Sequence, residues 1–526
     1  MAVDQVTSKH IVMIAAENGV LKGAKVGGIA DVIRDVPRAL ARRGHRVTVV
    51  TPGYQALSKL PGARLLHTLT VDFSRVLEKL ELFQIDTPDE PAAVQHLVLE
   101  HPLFGACGAG QVYCHDVFEP FATDASKFAL FCHAACYALV TGAIAKADVL
   151  HLHDWHAALM LLLREAHSPY HALLDIPAVY TVHNLSLQGV RPFADNLSSP
   201  GHWFPTLKYA REPVADPTYP ECINLMRTGI NLADQVHVVS PTYAREILQP
   251  SNPTLGLCRG EGLEKDLRRI NKAGKLHGIL NGCDYSKSSD GGKKVVKKQF
   301  IAAATTTLEQ WVRGRDQINA AHFHALQRLL SWAQRKPKDQ CVVGSVGRLT
   351  AQKVNLLRVE VAPGVFALDA LLQQLDKGFM IMLGSGDSAC EQFMREAMQR
   401  NTNFLFLCGY SEELGEMLYN FCDLFLMPSS FEPCGISQML AMRAGTPPLV
   451  HKVGGLADTV QHMVNGFAFD GASQHEQAAK LLQVFEEALL VQSTKIPVWQ
   501  GICRNAAATR FLWDDMMREY ENRLYS

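Results

Sequence analysis

One stretch in the carboxyl-terminal half limits strongly what the chain can fold into. Residues 424–427 form a short apolar run, residues 428–435 are rich in proline, serine and glycine, and an amphipathic helical pattern begins near Ile436. A strand that passes through a loop into a helix is the repeating unit of a parallel α/β sheet, and ligands bind at the carboxyl end of such strands. The unpaired N–H groups at the helix start favour an anion there.

A carboxylate lies inside this loop. Glu432 stands two residues before Cys434 and three before Gly435, so a hydrogen-bonding acid and a helix start suited to phosphate share one turn. This pairing is typical of a site for a ligand with a hydroxyl-rich end and a phosphorylated end. The alternative is that Glu432 only caps the helix and faces solvent, and this stretch alone does not decide between the two.

The same unit recurs along the chain. Further apolar runs followed by loops lie at residues 10–16, 46–51, 149–152, 177–182, 233–240, 276–280, 341–346, 380–383 and 404–407. This repetition predicts an α/β fold with a doubly wound parallel sheet in each half. Residues 63–100 alternate between apolar and polar, which predicts an antiparallel insert at a sheet edge.

Length and composition exclude several classes of protein. A chain of 526 residues is too long for one hydrophobic core, so two domains are expected. The formal net charge of -1 and dispersed positive charge give no support for nucleic acid as a partner. The amino terminus lacks a signal-peptide pattern, and no apolar stretch reaches the length of a membrane span. We therefore expect a cytoplasmic protein with no membrane partner.

The thirteen cysteines lack C-x-x-C spacing. Several lie in apolar runs, among them Cys132, Cys136 and Cys422, which predicts buried free thiols in a reducing compartment. No metal site is predicted.

The loop after the first predicted strand is basic and rich in glycine. Lys25, Gly27 and Gly28 precede a helical pattern that begins at Ile29. Paired glycines allow the backbone to approach a ligand closely, and the lysine supplies positive charge for a diphosphate. The loop does not match G-x-G-x-x-G, so a nicotinamide cofactor gains no support.

Two other strands end in a histidine with a polar partner. Residues 149–152 lead to His153 and Asp154, and residues 177–182 lead to His183 and Asn184. A single histidine is usually structural, but two such strand ends in succession favour a functional site. Asn281 follows a further strand in the same way.

The loop that carries Lys25, Gly27 and Gly28, called the lysine loop below, has a similar segment in the second half of the chain, and this similarity is called the echo. Residues 25–33 read KVGGIADVI and residues 452–460 read KVGGLADTV. The two segments share either an origin or a role, or each reached a tight turn before a helix independently; so short an echo leaves these alternatives open.

Seven ordered motifs together resemble the bacterial glycogen synthase and plant starch synthase family, over a span from about His10 to Tyr525. They are KVGGIAD from Lys25, HDWHA from His153, TVHNL from Thr181, VSPTYARE from Val239, LNGCD from Leu280, GRLTAQK from Gly347 and SFEPCGISQ from Ser430. No single motif would suffice, but their joint order makes chance matching implausible.

The resemblance implies the glycosyltransferase B architecture, with two Rossmann-like domains that face each other across a deep cleft. It predicts an acceptor-side catalytic domain at residues 1–335, a nucleotide-sugar-binding domain at 336–505 and a helix at 506–526 that returns to the first domain. The implied reaction moves glucose from ADP-glucose to the non-reducing end of an α-1,4-glucan with retention of configuration. Neither a cofactor nor a metal is expected.

The resemblance also implies roles for individual residues. It places Arg348 and Lys353 on the diphosphate, Glu432 on the glucose hydroxyls, and Lys25 with Gly27 and Gly28 on the nucleotide sugar. The remaining implied contacts are backbone groups of Cys434, Gly435 and Ile436 to the donor, His183 and Asn184 beside the sugar, Asn281 near the donor, Tyr410 against adenine and Asp154 on the acceptor side.

The chain departs from the family pattern at three places. Ile29 replaces a leucine, Val354 stands where a glycine is common, and the lysine-rich stretch 285–300 lacks a familiar tryptophan and proline. If the position of Val354 requires a positive φ, this β-branched residue is strained.

Two alternatives to the implied activity stand beside it. The first is a related enzyme with another donor such as UDP-glucose or with a small sugar acceptor, of the sucrose- or trehalose-phosphate synthase type; the KVGG loop together with FEPCG favours the glucan group instead. The second is a glucan-binding homologue without turnover, which the presence of Arg348, Lys353 and Glu432 disfavours.

Overall fold

A computed structural model describes residues 7–286, 294–313, 320–335 and 341–526. Its chain divides into two compact units, each with its own parallel sheet. Unit 1 comprises Met1–Pro250, Arg259–Asn281 and Trp513–Ser526, and unit 2 comprises Ser251–Cys258 and Gly282–Leu512. Across the described ranges, no helix is both long enough and apolar enough to span a membrane.

The strands of unit 1 build one large sheet and one small antiparallel sheet. In chain order they are β1 (His10–Ile14), β2 (Arg46–Pro52), β3 (Ala63–Phe73), β4 (Val76–Ile85), β5 (Val94–Glu100), β6 (Val149–His153), β7 (Ala178–Val182), β8 (Val190–Pro192), β9 (Cys222–Asn224), β10 (Gln235–Val238) and β11 (Leu276–Gly278). The large sheet has the order β11-β10-β7-β6-β1-β2-β5-β4-β3, and β8 with β9 forms the small sheet. It is parallel from β11 to β5, whereas β3, β4 and β5 pair antiparallel. The predicted antiparallel edge is thus confirmed.

Helices cover both faces of this sheet, which explains why its central strands are continuous apolar runs. They are α1 (Gly28–Arg42), α2 (Ala122–Val140), α3 (Asp154–Ala166), α4 (Pro200–Trp203), α5 (Leu225–Leu232), α6 (Pro241–Glu246) and α7 (Glu264–Lys272). All five residues of β1 are buried. Its alternate side chains enter different cores, Val12 on one face and Met13 on the other.

Unit 2 repeats the plan with a sheet that is parallel throughout. Its strands are β12 (Val342–Val346), β13 (Glu360–Ala362), β14 (Val365–Phe366), β15 (Phe379–Gly384), β16 (Phe404–Cys408), β17 (Leu424–Met427), β18 (Pro448–His451) and β19 (Phe467–Phe469). The main sheet runs β16-β15-β12-β17-β18-β19, and β13 with β14 forms a separate hairpin. Two Rossmann-like doubly wound units therefore confirm the predicted fold class.

The helices of unit 2 flank its sheet, and the last helix of the chain lies in unit 1. Those of unit 2 are α8 (Lys297–Arg313), α9 (Ala320–Ala333), α10 (Ala351–Val354), α11 (Ala367–Gln374), α12 (Ser388–Arg400), α13 (Glu412–Phe421), α14 (Ser437–Arg443), α15 (Gly454–Thr459), α16 (Gln474–Thr494) and α17 (Ile496–Ala508); the last helix is α18 (Trp513–Arg523).

The predicted boundary after residue 335 is wrong, because the units divide between Asn281 and Gly282. Aromatic packing explains this. Phe300 of α8 stacks on Phe421 with ring centroids 4.9 Å apart, and Trp332 of α9 stacks on Phe379 at 4.3 Å. Both helices thus complete the core of unit 2. Residues 336–340, which directly follow the predicted boundary, and residues 287–293 of the lysine-rich stretch lie outside the described residues.

The cysteine prediction holds for Cys132, Cys136 and Cys422, which are buried free thiols. It is wrong for Cys107 and Cys114, which form a disulfide with their Cα atoms 5.6 Å apart. These two residues lie on the two arms of one loop, and a seven-residue separation gave no recognisable pairing signal.

The returning helix α18 shares a core with α1 in unit 1. Met517 is fully buried there, beside Ile33 and Val36. We expect Met517→Ala to lower the free energy of unfolding by about 2–5 kcal/mol, because the lost methylenes leave a cavity. Urea unfolding followed by circular dichroism measures this, with the exposed Glu519→Ala as a control. Equal stability of both variants would show that α18 is not part of this core.

Candidate active site

Two loops of unit 2 meet at the carboxyl edge of its sheet. Strands β12 and β17 are neighbours, so the loops that follow them leave the sheet side by side. The ammonium group of Lys353 forms an ion pair with Oε2 of Glu432, and the hydroxyl of Ser429 donates to the same oxygen at 3.0 Å. Glu432 is 6% exposed. Its carboxylate therefore has a fixed position and does not simply cap a helix in solvent.

Backbone hydrogen bonds join these two loops. Both the N–H and the hydroxyl of Ser430 donate to the carbonyl of Gln352, at 2.8 and 3.0 Å. The side-chain amide of Gln352 in turn donates to the carbonyl of Phe431 at 3.0 Å. The residues on either side, Lys353 and Glu432, are thus held together by their neighbours as well as by their own charges.

A small depression opens between the loops. It is lined by residues of β12, β15 and β17 and of the loops that follow two of them: Ser345, Val346, Gly347, Arg348, Leu349, Lys353, Val354, Met382, Leu426, Met427, Pro428 and Ser429. The exposed Arg348 and the half-buried Lys353 are both among these lining residues. Two cations and one carboxylate are thereby collected at one edge of the sheet.

The turn before α14 depends on a left-handed residue. Gly435 has φ +76°, which L side chains rarely adopt. The fully buried Gln438 donates through its amide to the carbonyls of Gly435 at 2.9 Å and Cys434 at 3.3 Å. These bonds fix the backbone of Cys434 and Gly435, just before Ile436 and the start of α14.

Glycines of the second KVGG segment support the Glu432 loop, which sequence reasoning missed. Gly454 has φ +45°, and a Cβ atom there would overlap the carbonyl oxygen of Glu432. The N–H of Gly455 donates to that carbonyl at 3.1 Å. His451, the last residue of β18, lies directly before this segment and forms a hydrogen bond through Nδ1 to the carbonyl of Ser429 at 2.8 Å. The echo at residues 452–460 was the signal that could have pointed to this support.

Val354 adopts φ -123° and is buried. The position therefore needs no glycine, and the backbone after Lys353 does not have the strain that a positive φ at Val354 would cause. Tyr410, at the end of β16, is 66% exposed, so its ring is accessible from solvent.

In unit 1, the ends of β6 and β7 bring Asp154, His183 and Asn184 together. The N–H of His183 donates to Oδ1 of Asp154 at 2.7 Å. Asp154 has φ +55°, an uncommon backbone conformation of the kind that clusters at functional sites. Burial raises the pKa of its carboxyl to about 8, although hydrogen bonds from the N–H groups of His183 and Asn184 oppose this rise.

A buried series of imidazoles lies behind His183. His153 contacts it, with Nδ1 of His153 and Nε2 of His183 3.0 Å apart. The ring of His153 also stacks on His151 at 4.3 Å, and His151 and His237 share the hydroxyl of Thr181. Burial lowers the pKa of His183 and of His237 to about 3 and holds those of His151 and His153 well below 6.5. These rings are therefore neutral at physiological pH.

The lysine loop lies at the same edge, after β1. Lys25 forms an ion pair with Asp31 at 2.7 Å, and Gly27 and Gly28 stand at the start of α1. A Cβ atom on Gly28 would meet no atom within 4 Å, so the space beside this glycine is open to a ligand. Asn281 is 4% exposed after β11, and within the described residues its side-chain oxygen has no hydrogen-bond partner.

Each unit thus presents polar loops at one edge of a doubly wound parallel sheet, which is the arrangement of a two-domain glycosyltransferase of the B type. Family models agree: the starch synthase catalytic domain matches residues 10–269, and glycosyl transferases group 1 matches residues 327–495. Glycogen synthase of Anaeromyxobacter sp. (strain Fw109-5) is 33% identical over 97% of this chain and 98% of its own. The chain belongs to the glycogen synthase family.

Two further comparisons are consistent with this membership. Glycogen synthase of Streptococcus equi subsp. equi (strain 4047) is 31% identical over 97% of this chain and 98% of its own. Among solved structures, the catalytic domain of starch synthase IV from Arabidopsis thaliana, bound to ADP and acarbose, has a TM-score of 0.75 and 26% identity, and covers 99% of both chains.

The neutral histidines make stability depend on pH. Below pH 6.5 the unfolded chain binds a proton on His237, whereas the folded protein does not until the pH approaches 3. The contribution of His237 to the free energy of unfolding is therefore fully present above pH 6.5. It decreases as the pH falls, by about 1 kcal/mol at about pH 5.5.

We expect His237→Gln to remove that part of the pH dependence. Urea unfolding at about pH 7.5 and 5.5 should show a smaller loss in the variant than in the parent protein, by about 1 kcal/mol. An unchanged difference between the two pH values would mean that His237 is protonated in the folded state.

Proposed function

We propose that the protein transfers glucose from ADP-glucose to the non-reducing end of an α-1,4-glucan such as glycogen, with retention of the α configuration. Full-length similarity to glycogen synthases and to an ADP-bound starch synthase supports this. The structural observation that carries the proposal is the fixed Glu432 carboxylate, held by Lys353 and Ser429 beside the exposed Arg348.

The chemistry requires positive charge at the leaving group. When the bond between sugar and diphosphate breaks, negative charge develops on the departing oxygen while the anomeric carbon becomes cation-like. Arg348 and Lys353 neutralise the departing diphosphate, and the N–H groups from Cys434 to Ile436 add hydrogen bonds to the donor. Once the donor is bound, these cations stabilise the negative charge that develops in the transition state.

Glu432 and Lys353 change partners when the donor binds. Without a ligand, each neutralises the other at the sheet edge. The diphosphate provides a stronger anion for the lysine, which leaves the Glu432 carboxylate free to accept hydrogen bonds from glucose hydroxyls. Ser429 keeps the carboxylate in place during this exchange, and the accessible ring of Tyr410 stacks on adenine.

Residues of unit 1 act on the sugar and the acceptor. Lys25, Gly27 and Gly28 contact the nucleotide sugar, Asn281 lies near the donor, and His183 with Asn184 lies beside the glucose. Asp154 serves the acceptor side and positions the backbone of His183 and Asn184.

The reaction proceeds on the front face of the sugar. The departing phosphate accepts the proton of the incoming hydroxyl, and no side chain forms a covalent intermediate. Cationic side chains take the role that a metal has in other transferases, so neither a metal nor a cofactor is required. We also propose a cytoplasmic location, as the sequence predicts.

The first test is the reaction itself. Purified protein incubated with glycogen and ADP-glucose should release ADP and extend the glucan chains, and adding EDTA should not reduce the rate. Parallel reactions with UDP-glucose, and with small sugars in place of glycogen, separate this activity from the alternatives. Faster transfer in either of those reactions would replace the proposed substrates, and transfer in none of them would favour a glucan-binding protein.

The assigned charges make a sharper prediction. Lys353→Ala and Glu432→Ala should each reduce kcat by roughly a hundredfold or more, which is the scale of removing a group that stabilises transition-state charge. Matched controls are Lys294→Ala and Glu416→Ala, since Lys294 and Glu416 also form ion pairs within unit 2, with Asp423 and Arg443. Near-parental rates in both site variants would refute the assignments.

A further inference from the structure

A buried carboxylate lies directly behind the lysine loop and has no role in the mechanism above. Glu17 follows β1 by three residues and is 2% exposed. A buried carboxylate is costly unless hydrogen bonds or charges compensate for the lost water. The partners of Glu17 therefore indicate what it does.

Two of those partners are successive backbone groups of the lysine loop. Oε2 of Glu17 accepts the N–H of Val26 at 3.0 Å and that of Gly27 at 2.5 Å. Hydrogen bonds to an ionised acceptor are stronger than neutral ones. One carboxylate oxygen thus fixes the peptide groups that directly follow Lys25.

The same bonds place the carboxylate beside the start of α1. Gly27 is the residue that precedes the helix, and it has no side chain with which to cap the free N–H groups. Glu17 supplies negative charge at this end from a distant position, which the helix dipole favours. An ordinary cap would interact with the helix start alone. Glu17 also anchors the loop to the end of β1.

The second carboxylate oxygen is held from another element. The hydroxyl of Tyr113 donates to Oε1 of Glu17 at 2.8 Å, and the Tyr113 ring packs beside His156 with centroids 5.3 Å apart. Tyr113 directly precedes Cys114, whose disulfide with Cys107 closes this loop. The carboxylate consequently cannot rotate without breaking a bond on one side or the other.

We propose that Glu17, braced by Tyr113, is a positioning residue that holds the Lys25 loop in the geometry that receives the diphosphate of the donor. This inference rests on the proposed function, in which Lys25, Gly27 and Gly28 contact the nucleotide sugar. It assigns Glu17 no contact with the substrate. Its effect on the reaction passes through the two amides that it binds.

Glu17→Gln tests the proposal, because glutamine keeps the size of the side chain but loses the charge and one acceptor oxygen. We expect kcat/KM for ADP-glucose to fall about ten- to a hundredfold, the cost of a small misplacement of a reacting group. The KM for glycogen should stay unchanged. Hydrogen exchange of the peptide that covers residues 22–30 should become faster, a readout that does not depend on activity.

Tyr113→Phe provides a second variant, which removes one bond to Glu17 and leaves the carboxylate itself intact. It should show the same two effects to a smaller extent. Glu90→Gln is the matched control, since Glu90 is a buried carboxylate of unit 1 that pairs with Arg38 near the middle of α1. This control should leave both the exchange of residues 22–30 and kcat/KM at parental values.

The outcomes separate this inference from the proposed function. If the parent protein does not transfer glucose from ADP-glucose, the proposed function fails, whatever the exchange data show. If the parent is active but Glu17→Gln and Tyr113→Phe keep the parental kcat/KM, the positioning role is refuted. The same conclusion follows if Glu90→Gln reduces kcat/KM as much as Glu17→Gln does.

Discussion

The single direction of the strands is the constraint on which the site depends. In a parallel sheet every strand delivers its following loop to the same edge, so residues far apart in sequence meet there. Lys353 and Glu432 are separated by 79 positions and form an ion pair because β12 and β17 are neighbours. Asp154 and the N–H of His183, 29 positions apart, meet at the ends of β6 and β7 for the same reason.

Close backbone packing then turns these loops into fixed structures. Gly454 allows the second KVGG segment to lie against the carbonyl of Glu432, and Gly435 turns the chain into α14 through a left-handed conformation. Hydrogen bonds from both backbone and side-chain groups hold these loops in place. An electrostatic site is effective only when its charges are in place before the reaction. This is why the glycines matter as much as the charged residues.

Sequence patterns predicted the parts of the structure that follow from local chemistry. The apolar runs predicted both parallel sheets. The pattern of residues 424–436 predicted a strand, a loop that carries a carboxylate and the start of a helix. The contacts between loops could not be predicted, because they depend on strand order. The KVGG echo pointed to residues 452–460 but not to their partner Glu432, and no local signal shows that Asp154 adopts a positive φ. The domain boundary was misplaced because α8 and α9 join their core through aromatic stacking with Phe421 and Phe379, more than 40 residues further along the chain.

If the charged edge of unit 2 is a diphosphate site, Arg348 contributes to the affinity for ADP, and binding of ADP to the Arg348→Ala variant measures that contribution. Isothermal titration of the parent protein and the variant measures the contribution of one guanidinium to the affinity. We expect the Kd for ADP to rise at least about tenfold in the variant, since a hydrogen bond to a charged group is worth about 1.5–3 kcal/mol. Equal affinity in the folded variant would contradict the assignment of this edge to the diphosphate.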